Sequence, residues 1–500
     1  MYNYLGILRK STAIDHCITC NFFDSKTPTL ILSKNNRLEF YIFQEEKLTP
    51  KKYINVFGKI KILLTIPSKN DKDNIFILSQ DLNFCLFSYN FSHNNIDIPI
   101  TGSIKEDLGK IQDEFLYCLD GNKNYLMICA YKNIFKIICV NTEIKGFDKY
   151  KNYTIRFQYE KILFLAPFYF NLQKKNENLD ENLLNFVVIK TVYNEKNDTF
   201  NENIEFQKDI VMETFQIKID PDSFNPPYFL NKPNSVSNGK ITNIKINSKL
   251  RKIINNNSNN NENNLNLNIK NKKTSEEKHT IVYNYEKLME SVNFLECIYL
   301  EEDQSIDLLI THPNGIIIIF FSTYVIYYQY NSSSKDLHCS KSFSYSKRKF
   351  IDYILINEKD YKYYVIDESG NLFTFELLEI KNKVNLNKDT FDISMGLIGK
   401  VNPPSDIAYL YNNILFIASK KGNSQLIKIN NNIDNKELNL DNIEIIEEYE
   451  SLAPISNMLI LNNTKEENGI EILTVSGVGK NCSIKNIKKG TSILLFILIN

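Results

Sequence analysis

Tryptophan is absent from the 500 residues, and glycine and proline are scarce, at 16 and 13. With no Trp and no Gly-His dipeptide, the signature of WD-type repeats is missing. So little Gly and Pro also excludes collagen-like and linker-like classes. Net charge is lacking too, because 59 basic and 59 acidic side chains cancel. No overall positive field is available to hold nucleic acid by counterion release, so any nucleic-acid role is local or borrowed from a partner. Long apolar runs are missing as well: Ile316–Phe321 and residues 493–499 fall far short of the ~20 that a membrane helix needs. Arg9 and Lys10 are followed by Ser11, Thr12, Ala13, Ile14 and Asp15, without the apolar core of a signal peptide. A soluble, non-secreted chain with no membrane partner is expected. Nine dispersed cysteines (Cys17, Cys20, Cys85, Cys118, Cys129, Cys139, Cys297, Cys339 and Cys482) read as reduced core thiols of a nuclear or cytosolic protein.

What the chain has is 43% hydrophobic residues with 32 Phe and 29 Tyr, a composition suited to pleated, aromatic packing. One unit recurs: an apolar run, a turn rich in Asn, Asp or Gly, and a second apolar or alternating run. The first is Leu30 to Lys34, turned by Asn35-Asn36 and returned by Arg37 to Phe43, with Leu38, Phe40 and Ile42 on one face. Others begin near Ile75, Tyr125, Asn185, Ile306, Tyr361, Ile414 and Glu471. Their spacing of about 45 to 60 residues is that of propeller blades. Runs apolar on both faces, such as Ile316–Phe321, suit a blade packed between two neighbours. An all-β propeller is expected, although periodicity alone leaves the blade number open. Ring closure would pair residues 14–23 in one blade with strands near residues 473–487, removing free edges.

Two stretches interrupt the rhythm. Residues 219–280 carry Pro221, Pro226, Pro227 and Pro233, an Asn run from Asn255 to Asn264 and a charged tract, so they offer little apolar area against the entropy of ordering. A disordered insertion is expected there. Residues 285–295 are the best of a poor set of helical candidates.

Chemistry is hard to find. Cys17 and Cys20 have the spacing of half a zinc site beside His16, but no second pair follows, and positions three apart on a strand face opposite ways. Gly477-Val478-Gly479-Lys480-Asn481 departs from a phosphate loop in its first glycine and in Asn481, and reads as a tight turn. Glu447-Glu448 and Glu301-Glu302 read as solvated surface. With no nucleophile elbow, zincin helix or kinase set, a non-enzyme is expected, with no catalytic, metal or cofactor-binding residues.

Specific stretches are nonetheless distinctive. Tyr2-Asn3-Tyr4, Lys10 to Ile14, Leu32 to Tyr41, Phe57 to Ile60, Tyr131 to Ile138, Asp367 to Phe373, Ala418 to Leu426, Leu452 to Ile455, Ser476-Gly477 and Ser483 to Lys485 occur in order across the chain. Together they resemble the family of the large subunit of the UV-damaged DNA-binding complex, the adaptor of cullin-4 ubiquitin ligases. The resemblance implies one seven-bladed propeller, the first of three in such proteins. Residues 1–218 and 281–490 would form it around the insertion at 219–280, with an unmatched tail at 491–500. It further implies a nuclear, also cytoplasmic, interaction scaffold in nucleotide-excision repair and ubiquitin-dependent turnover. Its partners would be WD-repeat substrate receptors; cullin-4 would bind only through a second propeller, and nucleic acid only indirectly.

The receptor-contact positions implied by the resemblance are Tyr409, Asn412, Lys420, Lys421, Pro454, Ile455, Ser456, Gly477, Val478 and Gly479. Lys420 and Lys421 stand where the family usually has Arg then Leu, and Lys cannot supply the planar fork of Arg. The alternative is a sister scaffold of the same superfamily, a large subunit of the mRNA polyadenylation or splicing factors, with RNA-processing partners.

Overall fold

The computed structural model describes the chain from residue 10 onward, except 25–26, 69–71, 107–108, 133, 141–151, 158–160, 170–182, 197–204, 219–227, 231–291, 301–304, 332–335, 380–390, 431–441, 464–468, 480–481, 489–492 and 497–500. Eight sheets account for the strands of this nearly all-strand protein. The eight strand pairs legible in the sequence fall one to each sheet.

Seven of the sheets are blades, each an antiparallel meander whose strands run outward from an innermost first strand. The inner strands are His16–Cys20, Ile60–Ile66, Ile111–Leu119, Lys161–Pro167, Ile306–His312, Phe350–Asn357 and Asp406–Tyr411. Each lies against the next in this order, and the last returns to the first, so the ring is closed. Alternation drives the assembly. On the second strand of blade 1, Leu30 and Leu32 point into the seam with blade 7 while Ile31 points into the seam with blade 2. The same division repeats around the ring, giving seven core clusters, one per seam. Hence Ile316–Phe321 is buried along its whole length. A fully buried side chain of this kind contributes about 1.5–3 kcal/mol.

The first hairpin forms as read, with Leu32 opposite Glu39, Lys34 opposite Arg37, and Asn35 in the left-handed region at φ 58°. Residues 14–23 and 473–487, however, do not share a blade. His16–Cys20 pairs with Thr29–Lys34, and Gly469–Ser476 pairs with Ser483–Lys488 in the eighth sheet. Blade 1 takes all four strands from consecutive sequence, so no strand is left to exchange. The ring closes by packing instead, with Ile14, Cys17, Leu30 and Leu32 against Ala408, Leu410 and Phe416.

The helical reading of 285–295 also fails where it can be seen. Val292–Leu300 is the outer strand of blade 4, paired to Glu205–Lys218 from Ile217↔Val292 to Ile210↔Leu300. That pairing overrides weak local periodicity. Within the expected insertion, Tyr228–Leu230 adds in parallel to Asn152–Phe157 as a fifth strand of blade 3; residues 219–227 and 231–280 lie outside the described residues.

The eighth sheet, running from Ile455–Asn463 to Ile493–Phe496, follows blade 7 and takes no place in the ring of inner strands. Among the described residues no helix is long and apolar enough to cross a membrane.

Candidate functional site

Strand direction gives the ring two unlike faces. The turn between the second and third strands of a blade lies beside the connection entering the next blade, as shown by Ile60 N–H donating to Asn35 O (2.8 Å), Arg348 N–H to Ser322 O (2.9 Å) and Val401 N–H to Gly370 O (2.8 Å). This side is called the front face. The turns after first strands, such as Asn412-Asn413, lie at the back.

The implied contact positions divide between the two. Tyr409 is half-buried toward the back, where its hydroxyl accepts the Asn413 N–H at 3.3 Å. Asn412 and Asn413 form that turn at φ 49° and 61°. Lys420 and Lys421 sit at the opposite, front end of the same blade, exposed. There Lys420 Nζ meets Asp15 Oδ1 at 3.4 Å and the Lys421 N–H donates to Ser419 Oγ at 3.2 Å. Tyr409 and Asn412 therefore do not join the lysines in one surface.

Pro454, Ile455 and Ser456 do converge with Gly477, Val478 and Gly479. The Gly477 N–H donates to Pro454 O at 3.0 Å, and Ile455 pairs with Ser476. Gly477 and Gly479 adopt φ 94° and 59°, leaving Val478 half-exposed at the tip of a tight turn, as the sequence suggested. This group is tied to the front of blade 7. Ser451 N–H donates to Asn423 Oδ1 (3.0 Å), Leu452 N–H to Thr12 Oγ1 (2.8 Å), and Lys485 Nζ to Ser451 O (2.5 Å).

Charge separates the faces further. Among the described residues at the front, Lys59, Lys105, Lys110, Lys132, Lys347, Lys349, Lys400, Lys420 and Lys421 are exposed, against Asp81, Glu368, Glu447, Glu448 and Glu450. The described back turns show the reverse, with Asp24, Glu45, Glu46, Glu358 and Asp360 against Lys47, Lys123 and Lys359. The described front turns are thus basic within a neutral chain. Phe57 stands there almost fully exposed (99%), and Arg348 is held over the Phe373 ring at 4.7 Å.

Below the front rim, inner strands bring together residues that the sequence did not single out. Asp352 Oδ2 and Asp406 Oδ1 both accept the Ile407 N–H at 2.9 Å, and Asp406 Oδ2 accepts the Cys17 N–H at 2.9 Å. Blade 6 is thereby bridged to blade 7 and blade 7 to blade 1. Both carboxyls are pushed up from the usual carboxylate range, chiefly by burial. His16 Nδ1 lies 3.7 Å from Asp406, yet burial and then Lys420 pull His16 down to about 4, so the contact is with a neutral imidazole. One signal was available: Asp307, Asp352 and Asp406 stand one in each of blades 5, 6 and 7, each followed by an apolar pair near the start of its inner strand.

Metal chemistry finds no purchase at the cysteines. Cys17 and Cys20 pack into different seams, and burial raises both thiols. Glu447 accepts from Tyr449 Oη, and Glu448 from Gln425 Nε2, both on the outer edge of blade 7.

The comparisons agree with this architecture. Residues 13–450 match the model of the RSE1/DDB1/CPSF1 first beta-propeller, ending one residue after the outer strand of blade 7. Among curated proteins, DNA damage-binding protein 1 of Drosophila melanogaster is 19% identical over 98% of this chain and 34% of its own length. DNA damage-binding protein 1a of Arabidopsis thaliana is 21% identical (98% and 35%), and DNA damage-binding protein 1 of Solanum lycopersicum 21% (99% and 35%). The chain spans about a third of the length of these relatives. A closed ring of meander blades with a model match over residues 13–450 makes the chain a member of the RSE1/DDB1/CPSF1 first-propeller family.

Proposed function

We propose that this chain is a non-catalytic scaffold that presents the front of its propeller to partner proteins. The observation that carries the reading is the charge division among the described residues: on a chain of zero net charge, their exposed lysines outnumber their exposed carboxylates at the front and not at the back. Such a face steers acidic partners and sets their orientation. The contact zone comprises Lys420, Lys421, Pro454, Ile455, Ser456 and the Gly477-Val478-Gly479 turn, and leaves out Tyr409 and Asn412.

In its finer form the scaffold serves a damaged-DNA-binding ubiquitin ligase in the nucleus, with WD-repeat receptors as partners. Nucleic acid is then reached through those partners and cullin-4 through a further propeller. The relatives named for DNA damage binding support this form. The matching family model also spans relatives of two other designations, which keeps an RNA-processing scaffold as the second reading.

The sequence carried the propeller to residue 490; the extent of the family match moves its end in our reading to residue 450, with the eighth sheet opening a separate unit. Its first strand leaves Met458, Leu459 and Ile460 58–62% exposed, where the equivalent strand of each blade lies against those of its two neighbours.

Capture of proteins from nuclear extract by the purified chain tests the reading. Receptor and ligase subunits are expected, and RNA-processing factors would favour the second. Lys420→Glu, Lys421→Glu and Ile455→Asp together should weaken capture at least about tenfold, the effect of roughly 1.4 kcal/mol. Lys47→Glu with Lys123→Glu, at the back, should leave it unchanged. Equal loss from both sets would sink the front-face assignment.

A further inference from the structure

Asp352 and Asp406 belong to adjacent blades yet converge on one backbone N–H, that of Ile407, each at 2.9 Å. Sharing one donor brings their carboxyl oxygens close together, with burial pushing both groups up from the usual carboxylate range. A hydrogen bond between two carboxyl groups needs a proton on one of them, because an ionised carboxylate can only accept. Among the described residues no Lys or Arg reaches either group within ion-pair distance. Lys420 is directed to Asp15, which accepts the Asn35 N–H at 2.9 Å. The other groups that face the pair are His16 and Cys17 on the inner strand of blade 1, Tyr353 beside Asp352, and Tyr117 from the inner strand of blade 3. Lys59 acts on His16 from the connection into blade 2. Asp406 keeps 23% of its side chain exposed, so water and protons can reach the pair.

We propose that Asp352 and Asp406 hold one proton between them, and that this shared proton is the catch of the ring's final seams. With it in place, Asp352 reaches Ile407 across one seam and Asp406 reaches Cys17 across the next. Without it, two like charges stand around one donor and repel. No other group need change. The proton is lost to water and the carboxylate pair gains one negative charge.

The sign follows from linkage. The folded pair keeps a proton that two separate carboxyls in the unfolded chain release near their ordinary values of about 4. Stability from the catch is therefore present on the acid side and lost as pH rises through the folded pair's value. His16 and His312, whose values are lowered, act in the opposite direction on the acid side and cannot imitate this loss.

Urea unfolding of the full chain from about pH 5 to about pH 9 tests the device. For the wild type between about pH 6.5 and about pH 8, above the titration of unfolded histidine and below that of unfolded thiols, the folding constant should fall with rising pH by up to about tenfold per unit until the pair's value is reached, and level off beyond it. Asp352→Asn, whose amide donates at every pH, should remove that slope, as should Asp406→Asn. Difference infrared spectroscopy supplies the second readout. A carbonyl band of a protonated carboxylic acid should persist in the wild type at mildly alkaline pH, where Asp120, pushed up only to about 6, is ionised. An absent band, or a slope in either variant equal to that of the wild type, overturns the proposal. Should neither variant fold, the wild-type band decides alone.

Discussion

Single polar residues hold the blade turns, and two of them lend themselves to measurement. Asp367, almost fully buried, accepts from the Ser369 N–H (2.9 Å), the Asn371 N–H (2.9 Å) and Asn371 Nδ2 (2.7 Å). Removing its carboxylate leaves buried donors without an acceptor. Asp367→Ala should cost about 1–3 kcal/mol in urea unfolding, and Asp367→Asn, which keeps one acceptor oxygen, should cost less. His312 is wholly buried; its Nε2 donates to Glu358 O at 3.0 Å, and its Nδ1 accepts the Asn314 N–H at 3.2 Å. Nδ1 cannot accept once protonated. Burial accordingly lowers this histidine below its ordinary value, and the stability it supplies, present above about pH 6.5, is lost as pH falls through that value toward the folded one. His312→Gln should flatten the acid limb of a pH-stability profile; an unchanged limb would place the titration elsewhere.

At the scale of elements, blades meet closely enough that some backbone positions admit no side chain. Gly370 turns the second strand of blade 6 into the third at φ 84°, and a Cβ there would lie 2.2 Å from Val401 O, which belongs to the connection into blade 7. Backbone has to move. Gly370→Ala should therefore cost at least the roughly 1–3 kcal/mol of a strained conformation, read as a lower urea midpoint with unchanged slope.

The strands themselves were largely legible, because two-faced apolar runs such as Ile316–Phe321 and alternating ones such as Arg37–Gln44 carry their own period. Which strands share a sheet was less so. Nothing in residues 14–23 says whether blade 1 borrows a strand from the far end, since that depends on how many complete meanders the chain holds. The candidate site suffered likewise. Tyr409 and Lys420 are close in sequence, but the intervening hairpin carries them to opposite faces. The Asp352–Asp406 pair escaped because neither residue stands near the other until two blades are docked.

For the molecule as a whole, closure rests on the first strand. His16–Cys20 supplies Cys17 to the seam with blade 7 and Cys20 to the seam with blade 2. Deleting residues 1–25 should break both seams and replace a single cooperative melt with a broad, non-two-state transition. A sharp melt at the wild-type temperature would show that six blades and the rest of the first suffice.

Because blade 1 is complete in itself, the ring also carries a schedule. The hydrogen bond from Cys17 to Asp406 joins residues 389 apart in the chain. At roughly 5–20 residues per second, a ribosome delivers Asp406 about 20 to 80 seconds after Cys17. Throughout that interval the blade-7 side of the first blade, with Ile14, Leu30 and Leu32, faces water while the later blades are made. All four of its strands are already paired among themselves, so what waits is an apolar face, together with the Cys17 N–H that Asp406 will accept. Ring closure is then a docking of finished surfaces, and a nascent chain halted before blade 7 should display that face to whatever chaperone is nearest.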